Sequence, residues 1–382
     1  MRTRARVLAF AVPAALAVAL MPAGQSPAQE KKGGFGKAKS WDEVTAAAVG
    51  YLKTTQADDG SWSKATHPGI TGVVLTGLFK AGLVKADDPM AAKGLAFVAT
   101  LADDKEGHLA KGEQIRHKFY TTSVNMQALA FSGDKKYAPL VTAAATYFKN
   151  GQTGATDKKT KDDPNYGSFG YSPGSRGDVS NTHFALDALL AAGVSKDDPV
   201  FARAAVFVSR CQNLKSEFND QPFAGKINDG SFIYVLPAAG GTAPIDTPRP
   251  GYGSMTFAGI KCLALAGIGP DDVRRKKAAE WVAANYSVDV NPGRDAGAGG
   301  QGYFYYLVSM ARCLDTLGVD TVKDASGKEH DWRAEITRAL TLRQKRDGSW
   351  GNDFAQWMES DPGLDTGYAL IALGYAKPRA KQ

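Results

Sequence analysis

Apolar residues recur at helical spacing along this chain, and one spacing returns repeatedly. Thr71 is followed seven residues later by Leu78, and seven residues complete two helical turns, so the pair lies on one helix face. The same interval separates Thr122/Leu129, Thr182/Leu189, Thr256/Leu263 and Thr366/Leu373, and Leu307/Leu314 keeps it without the threonine. Because these runs are apolar nearly all round, they predict six helices that are buried on both sides.

A second kind of run alternates with the first and is richer in alanine and in charge. Several of these runs follow Asp or Asp-Pro, as at Asp88 and Asp198, which suits a helix N-terminus. Strand-like alternation is nearly absent, and residues 232–236 are the only weak candidate. The charged runs cover residues 42–56, 89–101, 137–152, 200–212, 271–286 and 332–344.

The two kinds of helix together predict six helical hairpins and an all-α fold. Six hairpins can stack as an open solenoid or close into a ring. The charge on the first helix of each hairpin and the apolar character of the second favour an inner barrel wrapped by an outer one. An open solenoid would also need polar end caps. We therefore expect an (α/α)6 toroid over residues 41–376.

A short phrase occurs near both ends of this region. Residues 56–62 read Q-A-D-D-G-S-W, and residues 344–350 read Q-K-R-D-G-S-W. The phrase resembles the QW motif of terpenoid cyclases, and the whole pattern is similar to the squalene cyclase and protein prenyltransferase repeat family. The resemblance implies the toroid fold, but the motif is structural and implies little about chemistry. Two degenerate copies, 167–169 and 230–232, keep only Gly-Ser-Phe.

The phrase has a simple physical interpretation. Gln56 and Gln344 are expected to satisfy the free carbonyl groups at the ends of their own helices. Gly60 and Gly348 are expected to allow a tight turn that other residues adopt poorly.

The resemblance also identifies where an acid would lie. Squalene cyclases protonate an alkene with the middle Asp of a D-x-D-D-T segment at the start of an inner helix. Residues 178–182 read D-V-S-N-T and residues 362–366 read P-G-L-D-T, so Ser180 and Leu364 occupy that slot. Neither can donate a proton to an alkene, so cyclisation by the family mechanism is not expected.

Three polar residues near these segments remain candidate catalytic groups. Asp365 would serve as a general acid if burial raised its pKa, and its alternative role is that of a helix N-cap. The other two candidates are Asp178 and His183.

Basic residues precede several of the predicted inner helices. In a toroid all inner-helix N-termini point to one mouth, where helix dipoles and free N–H groups favour anions. The candidate ligand-binding residues at this mouth are Arg116, His117, Arg176, Arg249 and Arg294, with Tyr303, Tyr305 and Phe257 as an aromatic wall. A small apolar or anionic ligand is the predicted partner; the alternative is that these residues are ordinary surface charge and core.

No metal or cofactor is predicted. The Asp-x-Cys zinc pair of protein prenyltransferases is absent, and Cys313-Leu314-Asp315 with His330 reverses the order. Cys262 and Cys313 lie in apolar helical patterns, so buried free thiols are expected.

The N-terminus predicts export. Residues 1–28 combine three arginines with an uncharged apolar run over 8–20 and a small-residue cleavage site, as in a signal peptide. The mature protein would then be periplasmic or secreted, and an uncleaved anchor is the alternative. No other run reaches transmembrane length. Residues 29–40 are expected to be a flexible lead-in and 377–382 a tail.

The net charge of +7 falls to +4 once the three arginines of the signal peptide are removed, which is too mild to indicate nucleic acid. Three functions stay open. The first is binding or modification of an apolar or isoprenoid ligand in the central cavity. The second is a non-catalytic toroid that binds a protein or cell-envelope ligand. The third is a carbohydrate-active (α/α)6 enzyme, which would need paired carboxylates.

Overall fold

A computed structural model describes residues 39–112, 117–237 and 244–378. The predictions for residues 1–28, 29–38, 379–382 and Arg116 fall outside these ranges. The helices are α1 Trp41–Thr55, α2 Ile70–Ala81, α3 Pro89–Thr100, α4 Lys118–Ser132, α5 Ala138–Gly151, α6 Val179–Ala191, α7 Pro199–Arg210, α8 Ala224–Ile227, α9 Gly253–Leu265, α10 Val273–Ala284, α11 Tyr303–Thr316, α12 Trp332–Arg343 and α13 Pro362–Tyr375.

Six of these helices form a closed inner ring. Helices α2, α4, α6, α9, α11 and α13 each pack against the next, and α13 packs back against α2. Helices α1, α3, α5, α7, α10 and α12 surround them, and α8 is a single turn in the loop between α7 and α9. The prediction of an all-α (α/α)6 toroid is confirmed. No helix in the described ranges has both the length and the apolar character needed to cross a membrane.

In the part of the chain that the structure describes, strand structure is confined to one short hairpin between α11 and α12. Strand β1, Val322–Lys323, pairs antiparallel with β2, Glu329–His330. Strands of two residues are too short to leave a periodic pattern, so the sequence did not predict them. The weak strand candidate at 232–236 forms only an isolated bridge, between Phe232 and Gln212.

Glutamine side chains join neighbouring hairpins, and we call each such contact a glutamine bridge. The Gln56 amide donates to Gly60 O at 3.0 Å and to Met90 O, in the first turn of α3, at 2.9 Å. Gln344 donates to Gly348 O at 3.0 Å and to Val44 O in α1 at 2.8 Å, which ties the last hairpin to the first. Gln152 and Gln212 form the same bridges to Gly167/Val200 and Gly230/Arg274.

The expectation that Gln56 and Gln344 bond the ends of their own helices is therefore wrong. Both have extended backbones, which turn the side chain away from the helix that has just ended. The tryptophans take that role: the Trp350 indole N–H donates to Leu340 O in α12 at 2.9 Å. Trp62 bonds Leu52 O in α1 in the same way.

The recurring threonine of the inner helices has an equally specific role. Its hydroxyl accepts the main-chain N–H of the residue two places after the turn glycine, which fixes the turn to the inner helix. The donor/acceptor pairs are Trp62/Thr71 at 2.9 Å, Leu109/Thr122 at 3.2 Å, Phe169/Thr182 at 3.1 Å, Phe232/Thr256 at 3.2 Å and Trp350/Thr366 at 3.3 Å. The degenerate phrases thus keep the same geometry despite long loops between glutamine and glycine.

Substitution of a turn glycine tests this geometry directly. Gly348 has φ +91°, and a Cβ there would lie 2.2 Å from Ala47 O in α1. Gly318 also has a left-handed φ, +66°, but a Cβ there meets nothing within 4 Å. We expect Gly318→Ala to lower the free energy of unfolding by about 1 kcal/mol through backbone strain alone. Gly348→Ala should lower it by about 4 kcal/mol or more, since it also pushes two hairpins apart. Urea unfolding of both variants measures the difference, and equal losses would contradict the close contact.

Candidate functional site

A cavity of about 400 Å³ opens at the end of the ring where the inner helices begin. Its volume lies within the usual range for small-molecule sites. The wall combines the first turns of inner helices with the loops that precede them. The lining residues are His117, Tyr120, Tyr171, Ser180, Asn181, Phe184, Tyr234, Tyr252, Ser254, Met255, Arg294, Gly302, Tyr305, Ala355, Trp357, Met358, Glu359 and Tyr368.

Half of the residues in this wall carry aromatic rings. Tyr305 and Phe184 stack with ring centroids 5.4 Å apart, and the hydroxyl groups of Tyr120 and Tyr368 lie 3.1 Å apart. Burial raises the pKa of Tyr120 to about 12, so its hydroxyl stays neutral at physiological pH. The cavity therefore offers an apolar surface that is broken by neutral hydroxyl groups.

Glu359 is the one carboxylic acid among the described residues that line the cavity. Its carboxylate accepts the main-chain N–H of Tyr305 at 3.0 Å and the side-chain amide of Asn352 at 2.6 Å. It thereby occupies the N-terminus of α11, where Gly302 at the N-cap position has no side chain. Burial outweighs these hydrogen bonds and raises the pKa of Glu359 to about 7.

Asp365 and Asp178 lie behind the wall. Asp365 is completely buried in the first turn of α13, and burial, followed by the nearby Glu359 carboxylate, raises its pKa to about 10. It therefore keeps its proton at neutral pH. Asp178 is the N-cap of α6 and accepts the Asn181 main-chain N–H at 2.7 Å. Burial raises the pKa of Asp178 to about 6 despite the hydrogen bonds from Asn181 and Ser180.

His183 lies beneath the aromatic wall in a buried ionic cluster. The Tyr305 hydroxyl is 3.5 Å from its Nδ1, and its Nε2 is 3.3 Å from Asp187 Oδ2. The same aspartate pairs with Lys261 and, at 2.8 Å, with Arg312. Burial lowers the pKa of His183 to about 3, so the imidazole is neutral. The Asp187 carboxylate thus lies between Lys261 and Arg312, and burial lowers the pKa of Lys261.

The structure brings only part of the predicted mouth together. Arg294, His117 and Tyr305 line the cavity, and the Arg294 guanidinium stacks 3.6 Å above the Tyr252 ring. Arg176 is exposed and Arg249 half-buried, both away from the cavity wall.

Two residues of the predicted aromatic wall belong to the packing instead. The Tyr303 hydroxyl donates to Val288 O at 2.7 Å, and Phe257 packs against Tyr306 with ring centroids 6.0 Å apart. Consecutive residues of a helix point in different directions, so of the run Tyr303–Tyr306 only Tyr305 reaches the cavity.

Sequence reasoning missed the loop between α12 and α13, which carries Trp357, Met358 and Glu359. Trp357 and Met358 both adopt left-handed backbone conformations, with φ +55° and +67°. Such strain in residues other than glycine concentrates at functional sites. An acid two residues before Asp361, the N-cap of α13, was the available signal, but no periodic pattern marks this loop.

The reversed zinc pattern does not assemble. His330 lies between Asp324 and Glu335, at 3.1 and 2.8 Å, and Asp315 pairs with Arg333. Within the described ranges no three His, Cys, Asp or Glu side chains are placed to hold a metal ion. Cys211, Cys262 and Cys313 are buried free thiols.

No protein-family model and no curated protein sequence matches this chain. Solved structures share its fold. The type II terpene cyclase MstE from Scytonema aligns with TM-score 0.51 and 12% identity over 87% of this chain and 97% of that one. A glycosidase variant in complex with glucose aligns with TM-score 0.51 and 12% identity over 88% and 96%. A protein from Actinoplanes aligns with TM-score 0.50 and 14% identity over 89% and 100%.

At these identities the likeness defines the fold alone. The chain has the α/α toroid fold of the terpenoid cyclases, a fold that a glycosidase also uses.

Glu359 gives the site a pH dependence with a definite sign. Its pKa in the folded protein, about 7, lies above its ordinary value of 4.5, so the folded state binds the proton more tightly. The resulting stabilisation is complete below pH 4.5 and is lost as the pH rises through 7. As the pH rises from 4.5 to 7, we expect the free energy of unfolding to fall less in Glu359→Gln than in the wild type.

Urea unfolding at both ends of the window measures this effect. Glu217→Gln, at an exposed position, is the control and should follow the wild type. Asp178 and Asp365, with pKa values of about 6 and 10, add declines of the same sign in every variant, so only the difference between Glu359→Gln and the wild type reports on Glu359. A Glu359→Gln profile parallel to the wild type would show that the carboxyl titrates normally.

Proposed function

We propose that the protein binds an apolar ligand of the isoprenoid class in the tyrosine-lined cavity. The observation that carries this proposal is the wall itself, in which Tyr120, Phe184, Tyr305 and Tyr368 enclose an apolar space at the mouth of the ring. Ligand sites of this size are mostly apolar with a few placed polar groups. The toroid fold adds support, because a variant of the cyclase MstE is described in complex with geranylgeranyl dihydroxybenzoate as substrate.

Protonation of an alkene is not part of the proposal. A carbon–carbon double bond is a very weak base, so its protonation needs a strong acid. Burial makes Glu359 and Asp365 weaker acids, with pKa values of about 7 and 10. A carboxyl with a pKa near 7 is matched to proton transfer at an oxygen-bearing group under neutral conditions. Any chemistry at this cavity would therefore occur at an oxygen of the ligand, with Glu359 as the acid or base.

The carbohydrate-active alternative has less support. Retaining and inverting glycosidases use two carboxyl groups that flank the scissile bond. Among the described lining residues Glu359 is the only acid, and Asp178 is turned toward the Asn181 amide behind the wall, at 2.7 Å. Aromatic rings do stack on sugars, so a glycan remains the informative comparison ligand.

Calorimetric titration with farnesol and with maltotriose tests the proposal. We expect saturable binding of farnesol with one site per chain and no binding of maltotriose. Ala355→Trp places a large side chain at the cavity wall, at an exposed loop position, and should abolish farnesol binding without unfolding the protein.

Ala325→Trp is the matched control, since Ala325 is exposed and lies outside the cavity. It should bind farnesol like the wild type. Binding of maltotriose in preference to farnesol would favour the carbohydrate-active alternative. Farnesol binding that survives Ala355→Trp would place the ligand elsewhere on the protein.

A further inference from the structure

Arg294 lines the cavity and differs from the buried arginines in its partners. The four buried arginines among the described residues each pair with an aspartate: Arg210/Asp220, Arg274/Asp272, Arg312/Asp187 and Arg333/Asp315. Arg294 is half-buried in the cavity wall, and no described carboxylate lies within ion-pair distance of it. Its Nε is buried and has no hydrogen-bond partner among the described residues. A positive charge is therefore held at the cavity wall without an ion-pair partner among the described residues.

The arginine is fixed by aromatic rings. Its guanidinium lies 3.6 Å from the Tyr252 ring and 5.1 Å from the Trp357 ring. Stacking uses the face of the guanidinium and leaves the N–H groups along its edge free to bind planar oxygen groups. Because the side chain is held in place, binding an anion there costs little conformational entropy.

Two carboxyl groups at and below the cavity, Glu359 and Asp187, are bonded to groups other than Arg294. The Glu359 carboxyl is occupied by the Tyr305 N–H and the Asn352 amide. Below the floor, Asp187 is already paired with Lys261 and Arg312, and His183 is neutral, so this cluster offers Arg294 no free carboxylate. An anion is therefore attracted, and a cation repelled, at the Arg294 guanidinium.

We infer that the ligand is an amphiphile whose polar end is an anionic oxygen group, a carboxylate or a phosphate, bound by Arg294. The apolar part occupies the tyrosine-lined space, so this inference rests on the proposed function. It extends that function by naming the chemical class of the head group and the side chain that selects it.

Four probes with one shared chain test the inference: farnesol, farnesoic acid, farnesyl phosphate and farnesylamine, titrated calorimetrically below their micelle concentrations. We expect the wild type to bind at least one anionic probe about tenfold or more tightly than farnesol, as a charge-assisted hydrogen bond provides. The amine should bind more weakly than farnesol. The preference for the anion should decrease as salt is added, because the mouth is open to solvent.

Arg294→Gln should remove the preference for the anion and keep the affinity for farnesol, while Arg294→Lys should retain part of it. Arg249→Gln is the matched control, since Arg249 is also half-buried with an unpartnered Nε but does not line the cavity. A wild type that binds anionic and neutral probes equally, or an Arg294→Gln variant that keeps the preference, would overturn the inference alone. If none of the four probes binds, the proposed function fails and the inference fails with it.

Discussion

The hydrogen bonds of Gln344 to Gly348 and Val44 join two hairpins that are 300 residues apart in the sequence, and the cavity depends on that junction. Three further glutamine bridges repeat the contact between other neighbours. One neutral hydrogen bond contributes only about 1 kcal/mol net, which is small beside the apolar burial of six inner helices. The bridges therefore set the register of each hairpin on the next, while burial provides most of the stability.

Closure of the ring explains why the site forms where it does. Tyr120, Phe184, Tyr252, Tyr305 and Tyr368 belong to five inner helices or the loops that enter them, and only a ring brings their first turns to one opening. The charged cluster of His183, Asp187, Lys261 and Arg312 lies beneath these aromatic rings. Its members come from α6, α9 and α11, and buried ions cost several kcal/mol each unless they are paired and hydrogen-bonded.

Much of the fold could be predicted from the sequence because its determinants are local and repeated. The Thr71-to-Leu78 spacing is a helical period, and it returns in the other five hairpins, with Leu307 in place of the threonine in one of them. The partners of the glutamines could not be predicted, because each bridge joins residues of different hairpins. The site was predicted only in part. Arg294, His117 and Tyr305 were predicted because the starts of the inner helices and the loops before them meet at the mouth. Glu359 and Trp357 were missed because their loop has no periodic pattern.

Closure of the ring is tested most directly by amine cross-linking and mass spectrometry of the monomeric protein. The Lys39 amine lies 2.9 Å from Gln344 Oε1, so Lys39 and Lys345 are exposed neighbours only if the last hairpin meets the first. The closed ring predicts a Lys39–Lys345 cross-link within single chains. If that cross-link is absent, or occurs only in dimers, the hairpins form an open ladder and the shared cavity does not exist.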